Sequence, residues 1–194
     1  PVFIDKPFAV SSADAKEIVA LAKKNNVPLL SSSALRYAEG LSERLNDDAL
    51  GDIISADTFG PMAIVPTQPG FFWYGIHSVE MIFAALGKGC VSVRTISSED
   101  HDVIVGEWAD GRIGTVRGNR KGNNKFGGTI HREKGSSFVD VYANPKPYYA
   151  SLLERVMKLF QNGEEDIDIE ETLEVIRFIE AANESRETGK VVKL

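Results

Sequence analysis

The sequence predicts an α+β fold: the terminal β-α-β of a parallel sheet, followed by a mostly antiparallel open sheet with helices on one face. Three observations predict it. A short apolar strand at residues 2–4, an amphipathic helix over 13–24 and a second strand opening at Leu29 and Leu30 make one crossover unit. Residues 90–142 alternate apolar and polar side chains in short runs, with connections too short for parallel crossovers. Two long helical patterns then close the chain.

Each element has a local cause. Ser11-Ser12-Ala13-Asp14 is a capping-box pattern, in which a hydroxyl and a later carboxylate satisfy free N–H groups at a helix start. Ala15, Ile18, Val19, Leu21 and Ala22 form the apolar stripe of that helix. Asn25-Asn26 tolerate a left-handed cap and Pro28 forbids continuation. A second helix is expected over 37–46, where Tyr37, Leu41 and Leu45 lie one turn apart. Residues 53–59 read as a strand, and 60–72, with Pro61, Pro66 and Pro69, as a loop. A short apolar helix over 77–86 ends at Gly87, a good C-cap. Strands follow at 90–97 and 101–109. Asp110-Gly111 is a strong hairpin signal because both residues tolerate positive φ. The chain returns over 112–118, and further strands are expected at 127–132 and 137–142. The closing helices span 148–162, with Leu152, Val156, Leu159 and Phe160 on one face, and 169–188, with Leu173, Ile176, Ile179 and Ala182, stopping at Gly189.

Composition narrows the function classes. Of 194 residues, 43% are hydrophobic and 26% charged, enough apolar mass for a core without disulfides. The balance of 22 basic against 28 acidic residues, net −6, argues against a general nucleic-acid binder. No apolar run approaches the roughly 18 residues that suggest a membrane span. Cys90 is the only cysteine, so no intrachain disulfide forms, which fits a reducing, cytoplasmic setting. The chain opens on Pro1 and enters a strand at once. The expectation is therefore the C-terminal part of a longer protein, with any targeting signal upstream.

Two clusters could carry chemistry. Asp5-Lys6-Pro7 follows the first strand, and ligands collect at the C-terminal edge of a parallel sheet. A lysine there can steady an oxyanion or shuttle a proton, although most lysines are merely solvated. Trp73-Tyr74-Gly75-Ile76-His77-Ser78-Val79-Glu80 is the densest polar–aromatic cluster, where a Pro/Gly loop enters a helix. The helix dipole keeps His77 neutral and able to accept a proton, with Glu80 placed to orient its ring; the alternative is Glu80 as a helix-terminal charge. His77, His101 and His131 share no ligand spacing, so no metal is expected. Arg117, Arg120, Lys121, Lys125, Arg132 and Lys134 stand against one acid, Glu133; a solvated hairpin is favoured over an anion site. Glu164 to Asp168 read as a linker and helix N-terminal charge. No G-x-G-x-x-G, P-loop, G-x-S-x-G or H-E-x-x-H is present, which places any nucleotide's phosphate turn upstream of Pro1.

Together these pieces resemble the glucose–fructose oxidoreductase/inositol dehydrogenase family (Gfo/Idh/MocA) over essentially the whole chain. Asp5-Lys6-Pro7 matches the family's Glu-Lys-Pro, Arg36-Tyr37 its Arg-aromatic pair, and Gly75 to Glu80 its glycine-x-histidine-x-x-acid motif, with Leu86-Gly87 after it. Asp110-Gly111 matches a strand-pair turn, and Ala181 to Ser185 with Gly189 to Leu194 match the ending. The resemblance implies residues 1–35 as the remnant of a dinucleotide-binding domain. Residues 36–194 would be a substrate-binding and oligomerisation domain, like the glyceraldehyde-phosphate-dehydrogenase-like C-terminal domain of this family. It implies NAD or NADP as cofactor, Asp5, Lys6 and Pro7 beside it, and Lys6 and His77 as proton-transfer residues. The expected reaction is hydride transfer with a sugar-like or polyol alcohol or ketone. Arg36, Trp73 and Tyr74 are expected at the substrate, with Phe71-Phe72-Trp73-Tyr74 as a flat stacking wall or a core patch. Two departures stand out. Trp73 occupies the place of an aspartate usually found four residues before the histidine, with Tyr74 as a substitute proton donor, and Asp5 replaces Glu. They keep open a non-catalytic cofactor- or metabolite-binding member, or an NAD-dependent glycoside hydrolase. The residues alone should be inactive, and the open sheet face should be covered in a homodimer or homotetramer.

Overall fold

The structure is a computed structural model describing residues 1–194. β1 (Val2–Asp5) runs parallel to β2 (Leu29–Ser32), with Val2 opposite Leu29 and Asp5 opposite Ser32. Between them lies α1 (Ser12–Lys24), whose start is capped as the sequence requires: Asp14 N–H donates to Ser11 Oγ at 3.1 Å. Asn26 takes the left-handed conformation (φ 52°) that releases the chain toward Pro28. β2 is buried along its whole length.

The single helix expected over 37–46 is instead a 3₁₀ turn (Ala34–Tyr37) followed by α2 (Glu39–Leu45). The cause is local. Ser33 Oγ accepts Leu35 N–H, which winds the tight turn, and Ala38 is extended (ψ 128°), which interrupts helical hydrogen bonding.

The main sheet has seven strands in the order β8-β7-β3-β6-β5-β4-β9. These are β3 (Ile53–Pro61), β4 (Cys90–Ser97), β5 (His101–Trp108), β6 (Ile113–Asn119), β7 (Gly127–Arg132), β8 (Gly135–Asp140) and β9 (Val192–Lys193). Hairpins join β4 to β5, β5 to β6 and β7 to β8, and Gly111 supplies the positive φ (89°) of the middle turn. One pair departs from the antiparallel rule: β3 and β6 are parallel, Ser55 opposite Ile113 and Pro61 opposite Asn119. That pairing is set by tertiary packing, because α3 (Gly75–Leu86), β4 and β5 all intervene. Two boundaries shift: α3 begins two residues before the expected helix, and β8 sits two residues before the expected strand. β9 was not foreseen, being two residues long, and pairs Val192 with Val93.

α3 and α5 (Ile169–Thr188) cover one sheet face. The approach is close: a Cβ on Gly114 would lie 2.5 Å from Ile82 Cδ1, and one on Gly106 2.7 Å from Phe178 Cε2. Phe83, Trp108 and Phe178 interlock there, with ring centroids 5.6–6.4 Å apart, and Trp108 Nε1 donates to the Gly87 carbonyl at 2.8 Å. Cys90 is buried beside them, which pushes its thiol up to about 12. The opposite face leaves Ile96, Ile113 and Phe138 exposed. α4 (Tyr148–Asn162) packs Leu152 and Leu159 against Leu30 and Tyr37, while α5 packs on α1 and β2 as well as on β4 and so ties the β1-α1-β2 unit to the large sheet.

Candidate active site

Lys6 follows the last residue of β1, and its peptide with Pro7 is cis. Its ammonium is held by the loop before α3. Nζ donates to the Trp73 carbonyl at 2.9 Å and lies 4.6 Å from the centre of the Trp73 ring and 5.8 Å from that of Tyr74. Burial holds the Lys6 pKa below the ordinary lysine value, and the nearby Asp5 charge opposes the shift.

His77 is the third residue of α3, and its Nδ1 lies 2.7 Å from Ser33 Oγ at the end of β2. The imidazole ring meets Tyr74 at 5.6 Å and Phe126 at 5.4 Å, both edge-on, while Tyr74 and Phe126 stack at 6.3 Å and 9°. Burial, and secondarily the Lys6 charge, push the His77 pKa down to about 3, so the ring is neutral across the neutral range. Lys6 and Ser33 thus follow the ends of two paired parallel strands, and the loop and N-terminus of α3 bring Trp73 to Lys6 and His77 to Ser33. The rim continues through Tyr142, whose hydroxyl accepts Phe126 N–H at 3.3 Å and whose ring lies 4.8 Å from Lys125 Nζ.

The aromatic run divides. Phe71 and Phe72 are core residues, 0% and 1% exposed, while Trp73 and Tyr74 are half-buried at the site. Two other expectations change. Glu80 does not orient His77: its carboxylate lies 3.1 Å from Arg36 Nη1, a charged partner that outcompetes a neutral imidazole. Arg36, expected at the substrate, also bonds Glu171 through Nη2, so its guanidinium is a buried strut between the 3₁₀ turn, α3 and α5. Burial pushes the Glu80 carboxyl above the usual range, with Arg36 opposing.

Three cations of the basic stretch are engaged within the chain. Arg120 pairs with fully buried Asp102, Arg132 donates to the Gly51 carbonyl at 2.6 Å, and Lys125 lies over Tyr142. His101 Nδ1 lies 3.3 Å from Asn119. His131 sits between Asp57 at 2.8 Å and Ser136 at 2.7 Å. No three potential metal-ligating side chains gather anywhere. Asp5 ends β1, and Lys6 and Pro7 follow it across a cis peptide.

Ser33 and Phe126 were missed by sequence reasoning. A lone serine has no motif; the available signal was its position at the end of β2, beside the end of β1. Phe126 is a single aromatic in a Gly/Lys-rich stretch with no helical or strand periodicity to mark it.

No family model matches the chain, and no curated protein matches it in sequence. Solved structures share its fold. GenD2 from gentamicin A biosynthesis, in complex with NAD, superposes with a TM-score of 0.84 at 19% identity over 100% of this chain and 71% of its own. Myo-inositol 2-dehydrogenase from Lactobacillus plantarum gives 0.83 at 15% identity, covering 100% of this chain and 73% of its own. Aldose-aldose oxidoreductase from Caulobacter crescentus gives 0.77 at 19%, covering 100% and 72%. The fold, an antiparallel-dominated sheet with helices, is shared with these structures.

Proposed function

We propose that these residues form the substrate-binding and proton-transfer part of an NAD(P)-dependent oxidoreductase that interconverts a sugar-like or polyol alcohol and its ketone. The observation that carries this is the placement of Lys6 on Trp73 and of His77 on Ser33 beside the ends of two parallel strands, with the Tyr74 ring next to both and Phe126 stacked on it. The likeness in fold to an NAD-bound enzyme, an inositol dehydrogenase and an aldose oxidoreductase supports it.

The residues present fit the reacting end of a nicotinamide dinucleotide: an ammonium and a neutral imidazole flank the Tyr74 ring beside a strand edge. When bound, that group takes up or delivers a hydride at the substrate carbon. Loss of hydride from a carbinol carbon turns C–O into C=O, so the hydroxyl proton must leave. Lys6 as the amine takes it, and as the ammonium returns it in the reverse direction. Partial burial moves Lys6 toward neutral pH, where a general acid/base works best. His77 acts at the same oxygen. The aromatic faces suit the flat C–H faces of a ring polyol. In this scheme residues 1–35 close the nucleotide-binding domain and residues 36–194 serve substrate binding. The exposed sheet face, with Ile96 and Phe138, meets a second copy.

The non-catalytic reading rested on Trp73 replacing a carboxylate. Against it, the Trp73 carbonyl and ring hold Lys6, and Ser33 occupies the Nδ1 side of His77. The test is nicotinamide reduction by the full-length protein over a panel of cyclitols and aldoses, with Lys6→Met and His77→Asn beside it. Turnover that falls about 100-fold or more in each variant is expected; binding without turnover across the panel would establish the non-catalytic reading. Free sugar released without net reduction would establish glycoside hydrolysis.

A further inference from the structure

We infer that His77 rests with its single ring proton on Nε2, set there by the Ser33 hydroxyl, and so meets the substrate oxygen as a hydrogen-bond donor rather than as a base. Only the identity of that oxygen rests on the oxidoreductase reading above.

Ser33 is fully buried, 0% exposed. Its hydroxyl has one proton to donate and two lone pairs to accept with. Leu35 N–H takes one lone pair at 3.2 Å. No carbonyl or carboxylate of the chain accepts the Ser33 proton; the acceptor within reach is His77 Nδ1, at 2.7 Å. If Nδ1 carried the ring proton, Oγ would accept twice and its own proton would be left unpaired in a dry site, which buried groups avoid. The hydroxyl therefore donates to Nδ1. The partner of one ring nitrogen fixes the state of the other, so the proton sits on Nε2. Nε2 has no partner within the chain and is not among its buried unpaired atoms, so it is open to a ligand beside the Tyr74 and Phe126 rings.

A carboxylate beside Nδ1 would act in the opposite sense. It can only accept, so it would draw the proton to Nδ1 and leave a lone pair on Nε2, the arrangement of a base. A second ring proton is opposed by the positive end of α3 and by the Lys6 ammonium. The division of labour follows. In alcohol oxidation the O–H proton would pass to the Lys6 amine and His77 Nε2–H would steady the oxygen as it becomes a carbonyl, a bound oxidised nicotinamide supplying the acceptor for the C–H hydride. Reduction reverses each transfer. Ser33 is a positioning residue, acting through the imidazole.

The test is a long-range ¹H–¹⁵N correlation of the histidine rings in the ¹⁵N-labelled full-length protein, with His77 identified by its loss in His77→Asn. The expected pattern has protonated Nε2 and unprotonated Nδ1. Ser33→Ala is expected to shift both nitrogens toward the averaged values of exchanging tautomers, and Ser33→Thr to restore them. Protonated Nδ1 in the wild type, or a Ser33→Ala spectrum identical to it, would overturn the inference. If Ser33→Ala does not fold, the wild-type pattern decides alone. The readout needs no turnover, so a protein that reduces no nicotinamide yet shows Nε2–H would refute the oxidoreductase reading and leave the tautomer standing.

Discussion

Arg36→Met separates a strut from a substrate ligand. The Arg36, Glu80 and Glu171 side chains are 12%, 6% and 13% exposed, and the guanidinium is the charged partner of both carboxylates. Methionine keeps the length and removes the charge, leaving two buried carboxylates facing each other. Breaking a buried pair in this way costs about 3–5 kcal/mol, a large share of the roughly 5–15 kcal/mol of a domain. At about 2–4 °C per kcal/mol for this size, the melting temperature should fall by about 6–20 °C. The loss has a pH signature. The Glu80 carboxyl already lies above its ordinary value in the folded state and rises further without Arg36. Between the unfolded value, about 4.3, and that raised value, the folded state binds more protons than the unfolded state, so stability falls as pH rises. Circular dichroism melts of the variant should therefore show a smaller loss at about pH 5 than at about pH 7.5. A melting temperature within about 2 °C of wild type, together with a large rise in KM, would refute the strut and return Arg36 to the substrate.

Other perturbations follow from the same geometry. Because His77 is neutral down to about 3, the pH profile of kcat/KM should carry no inflection near the ordinary histidine value of about 6.5; one that vanished in His77→Asn would contradict this. The same depression means the unfolded state binds more protons between those two values, so His77 adds stability that is lost as pH falls. Chemical denaturation should find His77→Asn less acid-sensitive than wild type over that window. Gly60→Ala would place a Cβ 2.2 Å from Phe126 Cδ1, so the ring must leave its stack on Tyr74. The expected result is a several-fold rise in KM with a stability cost of about 1–3 kcal/mol, and unchanged KM would show that Phe126 does not touch substrate. Asp168→Ala removes the cap that accepts Glu170 N–H at 3.0 Å and should cost about 1 kcal/mol, read as a shift of a few degrees in melting.

The fold was largely legible because its signals are local. The Ser11 cap, the Asp110-Gly111 turn and the Gly189 stop each act within a few residues, and each element they bound is present. The parallel β3–β6 pair was not, since its register depends on α3 and a hairpin folding between the two strands. The site was legible in part. Lys6 and His77 stand out as chemistry-bearing residues at a strand end and a helix start. Their supports do not: Ser33 is 44 residues from His77 and Trp73 is 67 from Lys6. Glu80 was misplaced for a related reason, because helical spacing identifies its neighbours on α3 but not the guanidinium that arrives from another element.

The most direct test is nicotinamide reduction by the full-length protein with cyclitol and aldose substrates, wild type against Lys6→Met. The proposed chemistry predicts reduction with at least one alcohol and a loss of about 100-fold or more in the variant, with the melting temperature preserved. Equal turnover in both proteins, or none in either while the dinucleotide binds, would contradict it.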